Sequence, residues 1–284
     1  MDFKTTVIIQ DDFDLEKIVF SGQCFRPARE EDGKTYRFIC GNNILYIRKT
    51  NTSSTDISED NPESYDISCS IEEWNMFWQK YFDMDTCYSR IRKEIVPSDH
   101  YLTKAAQKGK GIRILRQDKF EMLISFIISQ RKSIPAIRSS VEKLCLKYGK
   151  KIENSDFFAF PTPLELSKAT SDELKDCGLG YRVPYIMDAV KRVLDGRLDL
   201  DKIDALSDDD LFNALTEVYG VGTKVANCIS LFAYHRIGRA PVDTWINKVI
   251  TEEYAGESPF PLYPETAGVI QQYMFYYAQH LKSN

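Results

Sequence analysis

The pattern of hydrophobic and polar positions changes near residue 70 of this 284-residue chain. Before that point, short β-branched and aromatic runs, separated by turn-forming residues, predict strands. The sequence Gly-Asn-Asn at 41–43 separates two of these runs and predicts a hairpin. The predicted strands cover 5–9, 36–40, 44–48 and 64–69, and the polar stretch 51–63 predicts an exposed loop.

Beyond residue 70, large hydrophobic residues recur at helical spacing, beginning with Ile71, Trp74 and Trp78. The predicted helices cover 71–82, 86–95, 100–108, 118–130, 134–148, 163–169, 171–177, 183–194, 207–218, 223–235, 244–254 and 264–281. This order of elements predicts an α+β fold. An N-terminal antiparallel β-rich domain over 1–97 would precede a mainly α-helical region over 98–284.

The composition is that of a globular protein, with 43% hydrophobic and 28% charged residues. The seven cysteines are scattered, without the spacing of a zinc site or an iron–sulfur cluster, and we interpret them as reduced thiols. No apolar run is long enough to span a membrane, and the N-terminus lacks the pattern of a secretory signal. We therefore expect an intracellular protein with no membrane partner.

The charge is unevenly distributed along the chain, although the net charge is only −5. Residues 104–151 carry thirteen Lys and Arg against three acidic residues, a local sum of +10. Such a segment could bind phosphates even on an acidic protein, or it could consist of solvated helix faces. The sequence leaves both interpretations open.

A glycine-rich turn joins two of the predicted helices. The helix over 207–218 runs into Tyr219-Gly220-Val221-Gly222, and the next helix begins at residue 223. This arrangement predicts a helix-hairpin-helix at 207–235. Its glycines would allow close approach of another molecule, and the exposed amides at the second helix N-terminus favour an anion such as a DNA phosphate.

A lysine and an aspartate follow this turn at positions suited to catalysis. Lys224 opens the second helix, where the helix dipole and partial burial would favour a neutral, nucleophilic amine. Asp243 precedes a third helix, where aspartate commonly serves as the N-cap. A carboxylate would also suit a reaction that develops positive charge on a sugar ring. The alternative for Lys224 is a simple phosphate contact.

These residues resemble the 8-oxoguanine DNA glycosylase/AP lyase family of the helix-hairpin-helix, Gly/Pro-Asp superfamily. The matching segments are Gly220–Cys228, Pro241–Asp243, Ser21–Arg26, Gly111–Asp118, Phe126–Ile127, Val141–Cys145 and Gly178–Arg182. The resemblance covers most of the chain and implies a TATA-binding-protein-like β domain followed by a helical DNA-glycosylase fold. It also implies base excision repair of damaged double-stranded DNA. The enzyme would be a monomer that excises 8-oxoguanine through a lysine Schiff base and β-elimination.

The resemblance assigns catalytic roles to individual residues. Lys224 would be the nucleophile and Asp243 its electrostatic partner. The main-chain carbonyl of Gly22 would accept a hydrogen bond from N7–H, the proton that distinguishes 8-oxoguanine from guanine. No cofactor would be required, and a structural cation at the hairpin would be held by the main-chain carbonyls of Thr216, Val218 and Val221.

Further roles concern the extruded base and the duplex. The flipped base would stack between Phe275 and Cys228, while Gln271 would bond its Watson–Crick edge. Tyr181 would wedge into the duplex, and Arg182 would face the base opposite the lesion. The glycines Gly220 and Gly222 would contact the DNA backbone.

The chain departs from the family pattern at two positions. An asparagine run that recognises the opposite cytosine in eukaryotic members is replaced by Arg131-Lys132-Ser133, and an expected arginine is Ala136. Arg131 and Lys132 would still contact DNA, but we expect weak selectivity for the opposite base. The family's histidine two residues after the catalytic aspartate is Trp245, which changes a phosphate contact.

Two other functions are compatible with the motifs. Relatives in the same superfamily remove alkylated bases or mispaired adenine, but Lys224 and the absent iron–sulfur cysteines argue against those branches. A DNA-binding protein that kept the hairpin and lost catalysis is the second alternative. Borohydride trapping would discriminate between a lyase and a non-catalytic DNA-binding protein, because only a lyase forms the reducible adduct.

Overall fold

The computed structural model describes residues 2–50 and 62–280. The predicted loop at 51–63 lies almost entirely outside the described residues. The chain forms two units, of which the first takes its described residues from 1–38, 44–116 and 242–284, and the second comprises 39–43 and 117–241. The predicted division into 1–97 and 98–284 stays a prediction.

A five-stranded sheet forms near the N-terminus, in the order β1-β5-β4-β3-β2. The strands are β1 Thr5–Ile9, β2 Ala28–Arg29, β3 Thr35–Cys40, β4 Asn43–Lys49 and β5 Glu63–Ile67. Val7 lies opposite Tyr65 and Ile47 opposite Ile67, so alternate residues of neighbouring strands are buried together. The predicted antiparallel β domain is thereby confirmed.

The first unit also contains seven α-helices among its described residues. They are α1 Leu15–Phe20, α2 Ile71–Glu73, α3 Gln79–Tyr81, α4 Tyr88–Lys93, α5 His100–Lys108, α13 Thr244–Glu253 and α14 Ala267–His280, with a π-helical turn at Trp74–Trp78. Phe82 lies in the aromatic core, edge-on to Phe13 and Phe38 at centroid distances of 5.2 and 4.9 Å. Helix α1 was not predicted, because six residues are too few to show a helical period.

The second unit is built around a helix that is buried on nearly every side. Its helices are α6 Lys119–Ser129, α7 Ile134–Tyr148, α8 Pro163–Leu166, α9 Ser171–Asp176, α10 Val183–Leu194, α11 Asp208–Thr216 and α12 Thr223–Phe232. Residues 120–128 of α6 are all buried, as expected for a helix that contacts α7, α10 and α12. Phe126 of α6 stacks on Phe232 of α12, with centroids 5.4 Å apart. The predicted helical region is confirmed.

No helix in the described part of the chain is long and apolar enough to cross a membrane.

Arg113 is a fully buried cation in the first unit. Its guanidinium donates to the carbonyl oxygens of Phe82, Asp12, Asp83 and Thr86 at 2.6–3.0 Å and to the Asp11 carboxylate at 3.2 Å. A buried charge is tolerated only when its donors are satisfied, and the planar guanidinium provides five donors in fixed directions. Arg113 therefore joins the segments at 11–12 and 82–86 into one framework.

Replacing this cation should destabilise the protein strongly. We expect Arg113→Met to lower the free energy of unfolding by about 3–5 kcal/mol, because the main-chain carbonyls and Asp11 lose their partner. Arg113→Lys should be almost as unstable as Arg113→Met, since one ammonium group cannot donate to all of the same acceptors. Urea denaturation would measure both, with the exposed Arg90→Met as a control that changes stability little. A nearly unchanged midpoint for Arg113→Met would contradict the framework role.

Candidate active site

The helix-hairpin-helix occupies α11, the turn after it, and α12. Ser207 caps α11 by accepting a hydrogen bond from Asp210 N at 3.2 Å. In the turn, Gly220 has φ +83°, and a β-carbon there would lie 2.3 Å from the ring of Tyr185. Both conformation and space therefore require glycine at this position.

The second turn glycine serves a different purpose. Gly222 is the N-cap of α12 in extended conformation and makes no side-chain cap, and a β-carbon there would meet nothing within 4 Å. The first amides of α12 are consequently left without a side-chain acceptor from their N-cap. Amides at a helix N-terminus form a site that can accept an anion.

Lys224 is the second residue of α12 and is half-buried. Its Nζ lies 5.6 Å from the centroid of the Phe126 ring. Among the described residues of its own unit, no carboxylate pairs with it. Cys228 lies one turn further along α12 and is buried, so the two side chains share one side of the helix.

The predicted wedge precedes α10 in a 3₁₀ turn, Gly180–Arg182. Tyr181 is 51% exposed, as an intercalating side chain requires, and its hydroxyl donates to Gln130 O at 3.3 Å. Arg182 is instead only 6% exposed. Its Nε and Nη2 donate to the same Gln130 carbonyl, and its guanidinium lies 4.4 Å from the Tyr181 ring. The arginine thus supports the wedge from behind in this structure.

The two basic residues of the segment that replaces the asparagine run differ in exposure. Arg131 is exposed and has φ +52°. Lys132 donates to Ser140 Oγ at 2.5 Å and to Gly178 O at 2.6 Å. Burial, followed by the nearby charges of Arg182 and Lys143, lowers the pKa of Lys132. Arg131 is therefore the more exposed of these two predicted DNA contacts, and Lys132 is half-buried and bonded within its own unit.

The basic segment 104–151 is partly neutralised by ion pairs with acidic residues elsewhere in the chain. Arg116 pairs with Asp83 at 2.9 Å, and Lys119 pairs with Asp201 and Asp204 at 2.9 and 3.0 Å. Other pairs in the segment are Arg113–Asp11, Lys147–Glu173, Lys150–Glu165 and Lys151–Asp156. The local sum of +10 therefore overstates the charge available to phosphate, because much of it has intrachain partners.

Asp243 belongs to the first unit and is the N-cap of α13. Its Oδ1 accepts a hydrogen bond from Ile246 N at 2.9 Å. This bond fixes the orientation of the carboxylate at the helix N-terminus. Trp245 is the second residue of the same helix and is half-buried.

Gly22 lies in the turn after α1 with φ +80°, a conformation that favours glycine. The next residue, Gln23, is fully buried. Its amide donates to Ser21 Oγ at 2.8 Å and Arg113 O at 2.9 Å, and accepts from Leu115 N at 2.8 Å. These bonds hold the turn, and the Gly22 main chain with it, against the segment at 113–115.

The remaining predicted base contacts lie one turn apart on α14. Gln271 is buried, and its Oε1 accepts from Gln272 Nε2 at 3.0 Å. Phe275 is half-buried. Residues four apart project from the same side of a helix, so α14 presents an amide and a ring together.

The carbonyls predicted to hold a cation lie at and after the end of α11. Unpaired carbonyls and the helix dipole favour a cation there. The Val218 carbonyl accepts from Val221 N at 2.9 Å and keeps a second lone pair. No group of three or more His, Cys, Asp or Glu side chains in the described residues could hold a metal. A structural cation at the main-chain oxygens of Thr216, Val218 and Val221 stays a prediction.

The predicted site residues thus fall into two sets. Lys224, Cys228, the hairpin, Tyr181 and Arg182 lie in the second unit, and the first unit contains Gly22, Asp243, Trp245, Gln271 and Phe275. Sequence analysis missed three residues that support these sets: Gln23, Gln130 and Tyr185. Gln23 lies within a segment used for the resemblance. The local sequence around a glutamine or a tyrosine, however, does not indicate contacts with distant parts of the chain.

Comparisons with known proteins identify the class and then the family. The HhH-GPD superfamily of base excision DNA repair proteins matches residues 124–261, and the N-terminal domain of 8-oxoguanine DNA glycosylase matches residues 6–123. The Clostridium acetobutylicum 8-oxoguanine glycosylase/lyase, solved with double-stranded DNA containing cytosine opposite 8-oxoguanine, is 33% identical. Its TM-score is 0.86, with 99% of this chain and 100% of that chain covered.

Two further relatives are N-glycosylase/DNA lyases by name. The Saccharomyces cerevisiae enzyme is 32% identical over 190 residues, which cover 62% of this chain and about half, 50%, of the yeast protein. The probable enzyme of Methanothermobacter thermautotrophicus is 26% identical, with 94% of each chain covered.

The chain therefore belongs to the 8-oxoguanine DNA glycosylase family. This finding confirms the resemblance drawn from the motifs. It also confirms the predicted enzyme class, a base excision repair DNA glycosylase with AP lyase activity.

The two turn glycines should respond differently to substitution. We expect Gly220→Ala to lower the free energy of unfolding by about 2–4 kcal/mol, the sum of left-handed strain and overpacking against Tyr185. Gly222→Ala should cost less than about 1 kcal/mol, since only the N-cap preference changes. Thermal unfolding would compare the two variants. Equal losses of stability would contradict the assigned contact with Tyr185.

Proposed function

We propose that this chain acts as a monomer on damaged double-stranded DNA, excising 8-oxoguanine and cleaving the resulting site through a Schiff base on Lys224. The observation that carries the proposal is the position of Lys224, half-buried at the start of α12 directly after the glycine turn. The Clostridium relative, solved with 8-oxoguanine-containing duplex, supports the substrate.

In the proposed reaction, the neutral amine of Lys224 attacks C1′ of the extruded nucleotide. The N–C1′ bond of the lysine forms as the glycosidic bond breaks, and the base leaves with the bonding electrons and takes up a proton. Loss of the amine proton and opening of the sugar ring give the Schiff base. Removal of a C2′ proton then expels the 3′ phosphate by β-elimination. No cofactor enters these steps.

Asp243 supplies negative charge as the sugar becomes cationic. Its orientation is fixed by the bond from Ile246 N to one carboxylate oxygen, and Oδ2 is the oxygen left to act on the sugar. The N-cap role and the catalytic role are thus compatible in one side chain. A preorganised charge of this kind costs no reorganisation during reaction.

Recognition of the base is proposed to combine a main-chain acceptor with an aromatic ring on one face of the base and a thiol on the other. The Gly22 carbonyl reads N7–H, and the turn that carries it is held by the buried amide of Gln23. Phe275 and Cys228 cover the two faces of the base, and Gln271 bonds the Watson–Crick edge. Extrusion itself costs a few kcal/mol, which contacts to the bent duplex must offset.

Phosphate contacts are assigned to the hairpin and its surroundings. Gly220, Gly222 and the first amides of α12 would bind the backbone, and Tyr181 would fill the space left by the extruded base. Arg131 and Trp245 would add contacts on either side. The carbonyls of Thr216, Val218 and Val221 would hold a structural cation, which contributes main-chain rigidity.

Borohydride trapping tests the function directly. On duplex DNA containing 8-oxoguanine, the wild-type protein should form a covalent adduct, and Lys224→Gln should abolish it while still binding DNA. Lys202→Gln replaces an exposed lysine of the same unit and should leave the adduct unchanged. Binding without any adduct in the wild type would support the non-catalytic alternative.

Asp243→Asn separates the two roles of this residue. Asparagine is as good an N-cap as aspartate, so the unfolding temperature should change little. The loss of charge should slow single-turnover excision by about 100-fold or more. Kinetics and thermal unfolding on the same preparation would show both, and an equal loss of stability and activity would contradict the electrostatic role.

Selectivity for the opposite base is expected to be weak. Two candidate donors, Lys132 and Arg182, are bonded to main-chain carbonyls of their own unit, and Ala136 provides no side-chain donor. Single-turnover excision should therefore differ by less than about tenfold, or 1.4 kcal/mol, among duplexes with C, A, G or T opposite 8-oxoguanine. A strong preference for cytosine would refute this expectation.

A further inference from the structure

Gln130 connects two functional segments of the second unit that are far apart in sequence. It is the C-cap of α6, and its side-chain amide donates to Gly220 O in the hairpin at 3.1 Å. Its main-chain carbonyl accepts from Arg182 Nε at 3.0 Å and from the Tyr181 hydroxyl at 3.3 Å. One residue thus bonds the wedge through its backbone and the catalytic hairpin through its side chain.

Tyr185 forms a second, apolar connection between the same segments. Its ring meets Tyr219 edge-on at 4.8 Å and Tyr181 edge-on at 6.1 Å. The ring also occupies the space beside Gly220 in which a β-carbon would lie. A displacement of the wedge ring must therefore press on a residue that is in contact with the turn.

The hairpin turn is also anchored to α10, the helix that contains Tyr185. Asp188 of α10 accepts from Tyr219 N at 3.0 Å and pairs with Arg192 at 2.7 Å. Burial opposes ionisation of Asp188, but the bonds from Tyr219 N and Arg192 lower its pKa, so the carboxylate is held in the charged form. The hairpin is thus fixed to α10, which begins directly after the wedge.

We propose that Gln130, with Tyr185 beside it, couples the wedge at Tyr181 and Arg182 to the hairpin that carries Lys224. Entry of Tyr181 into the duplex would shift the two donors that share the Gln130 carbonyl, and the glutamine amide would pass this shift to Gly220 four residues before the nucleophile. Gln130 is a positioning residue, because it acts through the hairpin. The inference rests on the proposed function and adds how the wedge and the nucleophile are linked.

The rate of the reaction is sensitive to small displacements of the nucleophile. Misplacement of a reacting group by about 1 Å can cost about 100-fold in rate, so a hairpin that moves with the wedge aligns the amine only when the base is extruded. Coupling through a contiguous hydrogen-bonded and packed path is measurable as non-additivity between its members. A residue that merely stabilises the fold would give losses that add.

The test is a double-mutant cycle on excision. Gln130→Met has a similar length and no donor, and it leaves the main-chain carbonyl in place. It should slow single-turnover excision of 8-oxoguanine by about tenfold in the wild-type background. In the Tyr181→Ala background, Gln130→Met should slow excision by less than about threefold, because no wedge remains whose displacement could reach the hairpin. The matched control, Gln107→Met on an exposed side of α5, should keep wild-type rates.

Borohydride trapping on a duplex with a preformed abasic site is a second readout, which needs no base release but still needs the aligned amine of Lys224. Gln130→Met should therefore slow trapping by about tenfold as well. Gln130→Asn keeps an amide but is one methylene too short to reach Gly220, and it should repeat the same pattern if Gln130→Met does not fold.

The outcomes are distinguishable. Equal fold-losses of Gln130→Met with and without Tyr181, or wild-type excision by both glutamine variants, would overturn the coupling alone. Absence of excision and trapping by the wild-type protein would overturn the proposed function, on which the coupling depends.

Discussion

The close approach of Gly220 to Tyr185 is the contact on which the functional surface of the second unit depends. Only a residue without a side chain lets the turn between α11 and α12 lie against the ring. With the turn seated there, Asp188 holds the amide of Tyr219 and Gln130 holds the carbonyl of Gly220. Since α12 begins directly after this turn, the position of Lys224 follows from the same contact.

On the proposed function, several groups that act on the substrate also maintain the fold. Asp243 caps α13 with one oxygen, and the amide of Gln23 satisfies buried main-chain groups while it holds the turn of Gly22. Groups used in this way are already oriented before a substrate arrives. Preorganisation of this kind is the main source of electrostatic catalysis, so a structural role and the proposed chemical role are compatible at these positions.

Charge is organised differently from what the sequence sum suggests. The basic segment neutralises acidic residues of its own units, with Arg113 and Arg116 fixing the segment around Asp83 in the first. On the proposed function, recognition of the DNA backbone then depends more on directional amides at the hairpin than on a broad positive field. Such amides cannot be neutralised by intrachain ion pairs, and their geometry is set by the helix.

The sequence by itself determined most of the elements and nominated the site residues. Hydrophobic periodicity, N-cap residues and the glycine turn act over a few neighbouring residues, and they predicted four of the five strands, most of the helices and the hairpin, and pointed to Lys224 and Asp243. Helix α1 and the two-residue strand β2 escaped prediction because both are too short to show a periodic pattern. The predicted fold class was confirmed by the structure, and the predicted family by the comparisons.

The tertiary structure alone decided which polar side chains bond within the fold. Arg182 and Lys132 are predicted DNA contacts, and in the fold both donate to main-chain carbonyls of their own unit. Gln130 meets partners 52 and 90 residues away in the chain. Contacts over such separations depend on how α6, α10 and the hairpin pack, and local periodicity carries no information about that packing.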